Sequence, residues 1–168
     1  MNPLVIIRQF VKGLVKDNEP YQIALALSFG FMLGIMPKNN LTAQFIFLIM
    51  MCSKANIPFA FGFTLFFTAL APFIDKITDP IGYSILNYGS FTPFFTSLYN
   101  MPIVPWTDFN NTVVLGSLIL SIFLFYPIYL IGKRFGVFYN DKFRAKLANS
   151  KLIKSLKASW LFDWYFRN

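Results

Sequence analysis

The chain has 168 residues, of which 56% are hydrophobic, 20% are aromatic and only 13% are charged, and its net charge is +8. Soluble domains carry about 25% charged residues. This composition, with a mean hydropathy of +0.54, therefore excludes an ordinary soluble domain and predicts an all-α integral membrane protein. The lack of His and the single Cys exclude histidine acid–base chemistry, the usual zinc sites and an internal disulfide.

Residues 1–19 are predicted to form an amphipathic helix at the membrane surface. Between residues 3 and 17, aliphatic side chains recur at helical spacing and three basic residues share the opposite side. Such a helix suits the headgroup plane of a bilayer.

Residues 20–132 are predicted to be the membrane domain, and it begins with two short apolar pieces. Residues 21–36 and 41–53 are separated by the helix-breaking run Pro37-Lys38-Asn39-Asn40. At 1.5 Å per residue they rise about 24 and about 20 Å, against a hydrocarbon core of about 30 Å. We therefore expect a re-entrant hairpin with its tip at 37–40. Two short spanning helices are the alternative.

The rest of the membrane domain is predicted to hold two transmembrane helices. Residues 59–74 form an apolar piece with Pro72 near its end, and residues 110–132 form an uncharged helix that Lys133-Arg134 closes. Residues 75–109 mix aromatic residues with Pro, Gly and acids, which fits an interfacial or shallowly re-entrant segment.

Residues 133–168 are predicted to be a basic cytoplasmic tail with an amphipathic helix. They hold nine Lys or Arg residues against two Asp residues. A basic tail can bind nucleic acid, but the positive-inside rule explains this one better. We expect a multi-pass protein of the bacterial inner membrane with both termini in the cytoplasm. Membrane lipids are its expected partners, and nucleic acid is not.

Three motifs could carry function or packing. Gly30 and Gly34 form a GxxxG motif, which fits packing within this chain better than a dimer interface. At the predicted hairpin tip, Asn40 would cap the next helix. Lys38, Asn39 and Asn40 could then bind an anion beside that helix N-terminus, the alternative being an exposed loop with an ordinary cap.

Two acidic residues lie four positions apart, at Asp75 and Asp79. On a helix both carboxylates would share one face and could bind a cation or relay protons. The simpler interpretation is a solvated turn on the outer face. The sequence holds no catalytic set, metal cluster or cofactor fingerprint, so we expect neither an enzyme nor a cofactor.

Two spaced signatures of the membrane domain point to a family. The first signature is a spaced series of prolines, aliphatic residues, small residues and glycines. Its members are Pro20, Ile23, Ala24, Leu25, Ala26, Ser28, Gly30, Gly34 and Pro37. The second is Lys54-Ala55-Asn56-Ile57-Pro58. Over about residues 15–90 the chain resembles the bacterial Domain of Unknown Function 2062 family. It departs from the family at Ala26, where a Gly is usual, and at Ala71, where an Asn is usual.

The turn at 37–40 and the run Asp75 to Pro80 resemble a subfamily of short membrane proteins encoded beside a larger envelope protein. The resemblance implies an inner-membrane protein with such a partner and no established activity. We therefore expect a non-enzymatic subunit that anchors or gates a larger envelope complex, one that could move lipid. The alternative is an independent small transporter or channel for an anionic substrate.

Overall fold

The structure is a computed structural model that describes residues 10, 11, 13–16, 18–150 and 154. The described residues form helices and turns without a strand, which confirms the all-α prediction. Most of the predicted helix over 3–17, and the tail beyond residue 150 apart from Lys154, lie outside the described residues. The helices are α1 (Pro20–Ile35), α2 (Leu41–Cys52), α3 (Ile57–Leu86), α4 (Thr92–Tyr99), α5 (Thr112–Phe138) and α6 (Arg144–Ala148).

Prolines set the limits of α1, and an asparagine caps the start of α2. Pro20 is the first residue of α1, where its missing N–H costs nothing and its fixed φ favours a helix. Pro37 follows the extended C-cap residue Met36, because a residue before proline is pushed out of the helical region. Asn40 caps α2 by accepting a 2.8 Å hydrogen bond from the Ala43 N–H, as the sequence predicts.

Helices α1 and α2 form a hairpin that starts and finishes at the same end of the molecule. The backbone N–H of Asn56, just beyond α2, donates a 3.1 Å hydrogen bond to the carbonyl of Gln22 in the first turn of α1. The loop at 37–40 is therefore the tip of the hairpin.

Helix α3 is much longer than the sequence predicts. It has 30 residues and continues through Pro72 and Pro80, whereas we expected a piece over 59–74. The predicted interfacial segment at 75–109 is thus wrong for its first twelve residues, which belong to α3. A membrane helix tolerates internal proline because neighbouring helices and side-chain hydroxyls satisfy the freed backbone groups.

Helices α1, α3 and α5 pack together, with α1 parallel to α3 and α5 antiparallel to both. Where α1 meets α3, Gly30 lies against Phe63 and Gly34 lies against Phe67. The GxxxG motif is thus packed against another helix of the same chain. The glycines let the α3 backbone come close, since a Cβ at either position would collide with the neighbouring phenylalanine.

Small residues also line the two contacts of α5. Gly116 lies against the Thr78 backbone and Gly82 against Thr112 where α5 meets α3. Toward the other end of α5, a Cβ on Gly132 would lie 2.7 Å from the Ala24 Cα, and one on Gly136 would lie 2.9 Å from the Pro20 Cα. Gly132 and Gly136 form a second GxxxG motif, which the sequence analysis missed.

Helix α5 does not stop at Lys133-Arg134 as predicted. It continues to Phe138, and a π turn over Tyr139–Phe143 joins it to α6. The two basic residues therefore lie on a helix rather than at its end.

Helices α3 and α5 are long and apolar enough to cross a membrane. Only 11% of the apolar window of α3 is buried within the chain, and 22% of that of α5. The central helix of a soluble protein is instead mostly covered by its own fold. The apolar surfaces of α3 and α5 are therefore available to lipid or to another protein.

Candidate functional site

The candidate site is the hairpin tip, where Lys38 is held by the end of α1. Its Nζ donates a 2.8 Å hydrogen bond to the carbonyl of Gly34. A lysine suits this place because the last carbonyls of a helix lack intrahelical partners and carry partial negative charge. The ammonium has three N–H donors, so two remain for other acceptors.

The two asparagines of the tip differ in their surroundings. Asn40 is 3% exposed, and besides capping α2 it donates from Nδ2 to the Pro37 carbonyl at 2.6 Å. Its side chain therefore shapes the turn. Asn39 is exposed, so it is free to meet a ligand or solvent.

Two threonine hydroxyls lie between the tip and other parts of the chain. The Thr68 hydroxyl of α3 is 3.3 Å from the Gly34 carbonyl, although its shorter hydrogen bond, at 2.7 Å, is to the Thr64 carbonyl of its own helix. Thr42, at the start of α2, donates to the Thr107 carbonyl at 2.8 Å. No local pattern in the sequence indicates the contacts with Gly34 and Thr107, because each joins residues more than thirty positions apart.

The loop that reaches Thr42 has a constrained backbone. Its 3₁₀ turn over Val104–Thr107 is flanked by Ile103 with φ of 74° and Asp108 with φ of 55°. Positive φ is rare for a β-branched residue such as Ile103. The turn is thus held in a specific conformation over the hairpin tip.

The predicted pair of carboxylates lies within α3 and not in a solvated turn, so our simpler interpretation is wrong. Asp79 is exposed and accepts a hydrogen bond from the Thr112 hydroxyl at the start of α5. Asp75 is half-buried, and its Oδ1 is buried without a hydrogen-bond partner among the described residues. It lies close enough to Lys38 for the two opposite charges to attract each other.

Lys38 also lines a groove of about 250 Å³ between α1, α2 and α3, hereafter the Lys38 groove. Its other lining residues are Leu33, Ala43, Gln44, Phe47, Met50, Phe61 and Thr64. The rings of Phe47 and Phe61 meet edge to face with centroids 6.0 Å apart. The wall of the groove is almost entirely apolar, and Lys38 and Gln44 contribute little polar surface to it.

A second polar group, the asparagine cluster of Asn18, Asn56 and Asn140, lies at the opposite end of the hairpin. Asn56 Nδ2 donates to Asn18 Oδ1 at 2.8 Å and to the Gly13 carbonyl at 2.9 Å. Asn140 Nδ2 donates to the Asn18 carbonyl at 2.7 Å. The cluster joins the N-terminal segment, the N-cap of α3 and the π turn that follows α5, and it gives Asn56 of the second signature a structural role.

Within residues 18–150 and the few other described positions, no three His, Cys, Asp or Glu side chains come together as metal ligands would. The pair Asp75 and Asp79 supplies two carboxylates, which are too few for the usual hard-cation site with six or more oxygen ligands.

Comparisons with known proteins leave the family open. No protein-family model matches this chain, and no solved structure matches it. It is similar to an uncharacterised protein of Treponema pallidum (strain Nichols), at 21% identity over 122 residues. The similarity covers 73% of this chain and 75% of that relative. The resemblance to the Domain of Unknown Function 2062 family therefore stays a prediction.

Proposed function

We propose that this protein is a non-enzymatic subunit of the bacterial inner membrane that anchors or gates a larger cell-envelope complex, and that the complex moves lipid. One observation carries the proposal: the segment between α3 and α5 exposes a concentrated aromatic surface outside both long helices. The exposed large side chains there are Tyr88, Phe91, Phe94, Tyr99, Met101, Ile103 and Trp106.

This surface is unusual because nothing charged interrupts it. From Pro80 to Thr107 the sequence contains no Asp, Glu, Lys or Arg. Large exposed apolar patches mark sites where a protein meets a membrane or another protein, and Trp and Tyr are enriched at protein interfaces. A partner that rests on the membrane surface would cover this segment.

The proposed topology makes α3 and α5 the two full spans, with both termini in the cytoplasm. In this arrangement the hairpin enters and leaves from the cytoplasmic side. Its 16-residue α1 rises about 24 Å, which leaves the tip inside a hydrocarbon core of about 30 Å. The basic residues of the tail support a cytoplasmic C-terminus, and the segment from 87 to 111 then faces outward.

The test is a pull-down of the tagged native protein from mild detergent, with two matched variants. Trp106 is 72% exposed in the aromatic segment, and Phe123 is 76% exposed in the middle of α5. We expect the native protein to retain a stoichiometric envelope protein. Trp106→Ala should lose at least half of it, because aromatic residues dominate interface energies, whereas Phe123→Ala should retain it.

A native protein that purifies alone, even after crosslinking in cells, would refute the subunit assignment. Equal loss of the partner from both variants would instead show that the aromatic segment is not the docking surface.

A second function, an independent transporter of an anionic substrate, draws on the position of Lys38. Breaks between short membrane helices form transporter sites, where the N-terminus of one half-helix faces the anionic group of the substrate, and Lys38 lies at such a break. In this case the purified protein alone would move anions across liposomes, and Lys38→Ala would abolish the flux. Flux that equals that of empty liposomes would exclude this function.

A further inference from the structure

The Lys38 groove is almost entirely apolar inside. Lys38 and Gln44, both exposed, border it at the end near the hairpin tip mainly through their methylene groups, and no carboxylate occurs among the described residues that line it. Asp75 does not line the groove, but its carboxylate lies close enough to attract Lys38, so an anion at this end competes with Asp75 for the ammonium. Two of the three ammonium donors are available to it, since Gly34 accepts the third.

The end of the groove away from the hairpin tip opens on the outer surface of the helices. Phe47 is 36% exposed and Phe61 is 40% exposed, and both stand beside the exposed apolar faces of α2 and α3. Away from the tip, Met50 closes the wall on α2. A ligand that fills the groove therefore has an anionic head and an apolar tail.

We propose that the Lys38 groove binds an anionic phospholipid, with the phosphate on Lys38 and one acyl chain against Phe47 and Phe61. The inference rests on the proposed function for its membrane setting and adds the class of lipid. The placement fits a lipid of the outer leaflet, because the tip lies toward the outer face and the groove leads from it toward the bilayer centre.

A lipid explains the groove better than a free anion does. A soluble phosphate would use Lys38 and Gln44 but would leave the aromatic wall unfilled. An acyl chain gains about 0.8 kcal/mol per buried CH₂ relative to water, but it gains little relative to the bilayer. The lysine therefore sets the preference for an anionic headgroup, and the groove sets where the chain lies.

The experiment measures lipid retained by the purified full-length protein. The protein is equilibrated in micelles that contain equal amounts of phosphatidylglycerol and phosphatidylcholine, and native mass spectrometry counts the bound lipid. We expect phosphatidylglycerol to be preferred about fivefold, the equivalent of about 1 kcal/mol for one basic residue near a membrane surface. Lys38→Gln should bring the ratio to about one, and Lys54→Gln, on the exposed loop after α2, should leave it unchanged.

A second pair of variants tests the groove itself. Gln44→Trp would fill it from an exposed position, and Phe45→Trp would place the same side chain on α2 outside the lining. We expect only Gln44→Trp to reduce the bound phosphatidylglycerol. Equal effects of the two tryptophans, or equal ratios for Lys38→Gln and Lys54→Gln, would overturn the proposal.

Two further outcomes separate the sources of the ligand and the two proposals. Displacement of bound lipid by a large excess of inorganic phosphate would mean that the site takes a free anion, which would also overturn the proposal. If the protein selects phosphatidylglycerol but retains no envelope partner, lipid binding in the groove is supported and the subunit assignment is refuted. If it retains a partner but shows no lipid selectivity, the subunit assignment is supported and lipid binding in the groove is refuted.

Discussion

At the scale of single residues, Asn56 serves two purposes. Its Oδ1 accepts from the Phe59 N–H at 3.1 Å and so caps α3. Its Nδ2 meanwhile bonds Asn18 and Gly13. The side chain of Asn56 thus caps a helix and also donates two hydrogen bonds. Ser could cap the helix but could not replace both donations, because its single hydroxyl hydrogen reaches only one acceptor.

We predict that Asn56→Ala destabilises the protein by about 2 kcal/mol. Loss of an N-cap costs about 1 kcal/mol, and the Asn18 Oδ1, which loses its hydrogen bond from Asn56, adds a comparable cost. The midpoint of thermal unfolding in mild detergent should fall by about 4–8 °C. Asn87→Ala, at the exposed other end of α3, is the control and should shift the midpoint by no more than 2 °C. Equal shifts would contradict the role assigned to the asparagine cluster.

The hairpin tip shows which residues can be predicted from the sequence. The cap at Asn40 and the exposed Lys38 could be predicted, because a proline, an N-cap residue and a following apolar run are local signals. Thr42 and Gln44 were missed, because their importance comes from Thr107 and from the wall of a groove that α1 and α3 complete. Such contacts depend on helix packing, which no local pattern records.

At the scale of helices, the limits of α1 and α2 agree with prediction to within one residue, whereas α3 does not. Pro37 and Pro58 mark real helix limits, so the breaks beside them were predicted. Pro72 and Pro80 lie inside α3, and the nearby acids made this stretch resemble a turn. Close packing of the same stretch on α5 through Gly82 and Gly116 holds it helical.

We predict opposite effects for two glycine substitutions. A Cβ at Gly116 would collide with the Thr78 backbone, while one at Gly62 would meet nothing within 4 Å. Gly116→Ala should therefore cost about 1–3 kcal/mol through overpacking. Gly62→Ala should be neutral or gain up to about 1 kcal/mol, because alanine is the better helix former.

The measurement for the glycine pair is the midpoint of thermal unfolding of both variants in the same detergent. A Gly116→Ala variant as stable as the native protein would show that α3 and α5 do not pack as closely as described.

At the scale of the whole molecule, the topology can be tested with single cysteines. Cys52 is the one cysteine of the chain, so a Cys52→Ser background allows new ones at Lys54, Asn100 and Lys142, all exposed positions. We predict that a membrane-impermeant maleimide labels only the cysteine at 100 from outside, because α3 and α5 place 100 opposite the other two. Labelling at 54 from outside would contradict the re-entrant hairpin.

The hairpin has a consequence for how the protein is made. Residues 20–56 leave the ribosome before α3 and α5, which are the helices that α1 packs against. In the proposed topology both ends of the hairpin lie on one side, so neither end has to cross the bilayer and the hairpin could stay at the cytoplasmic surface until α3 and α5 have inserted. Helix α1 would then reach its final place after α5, although it is translated first.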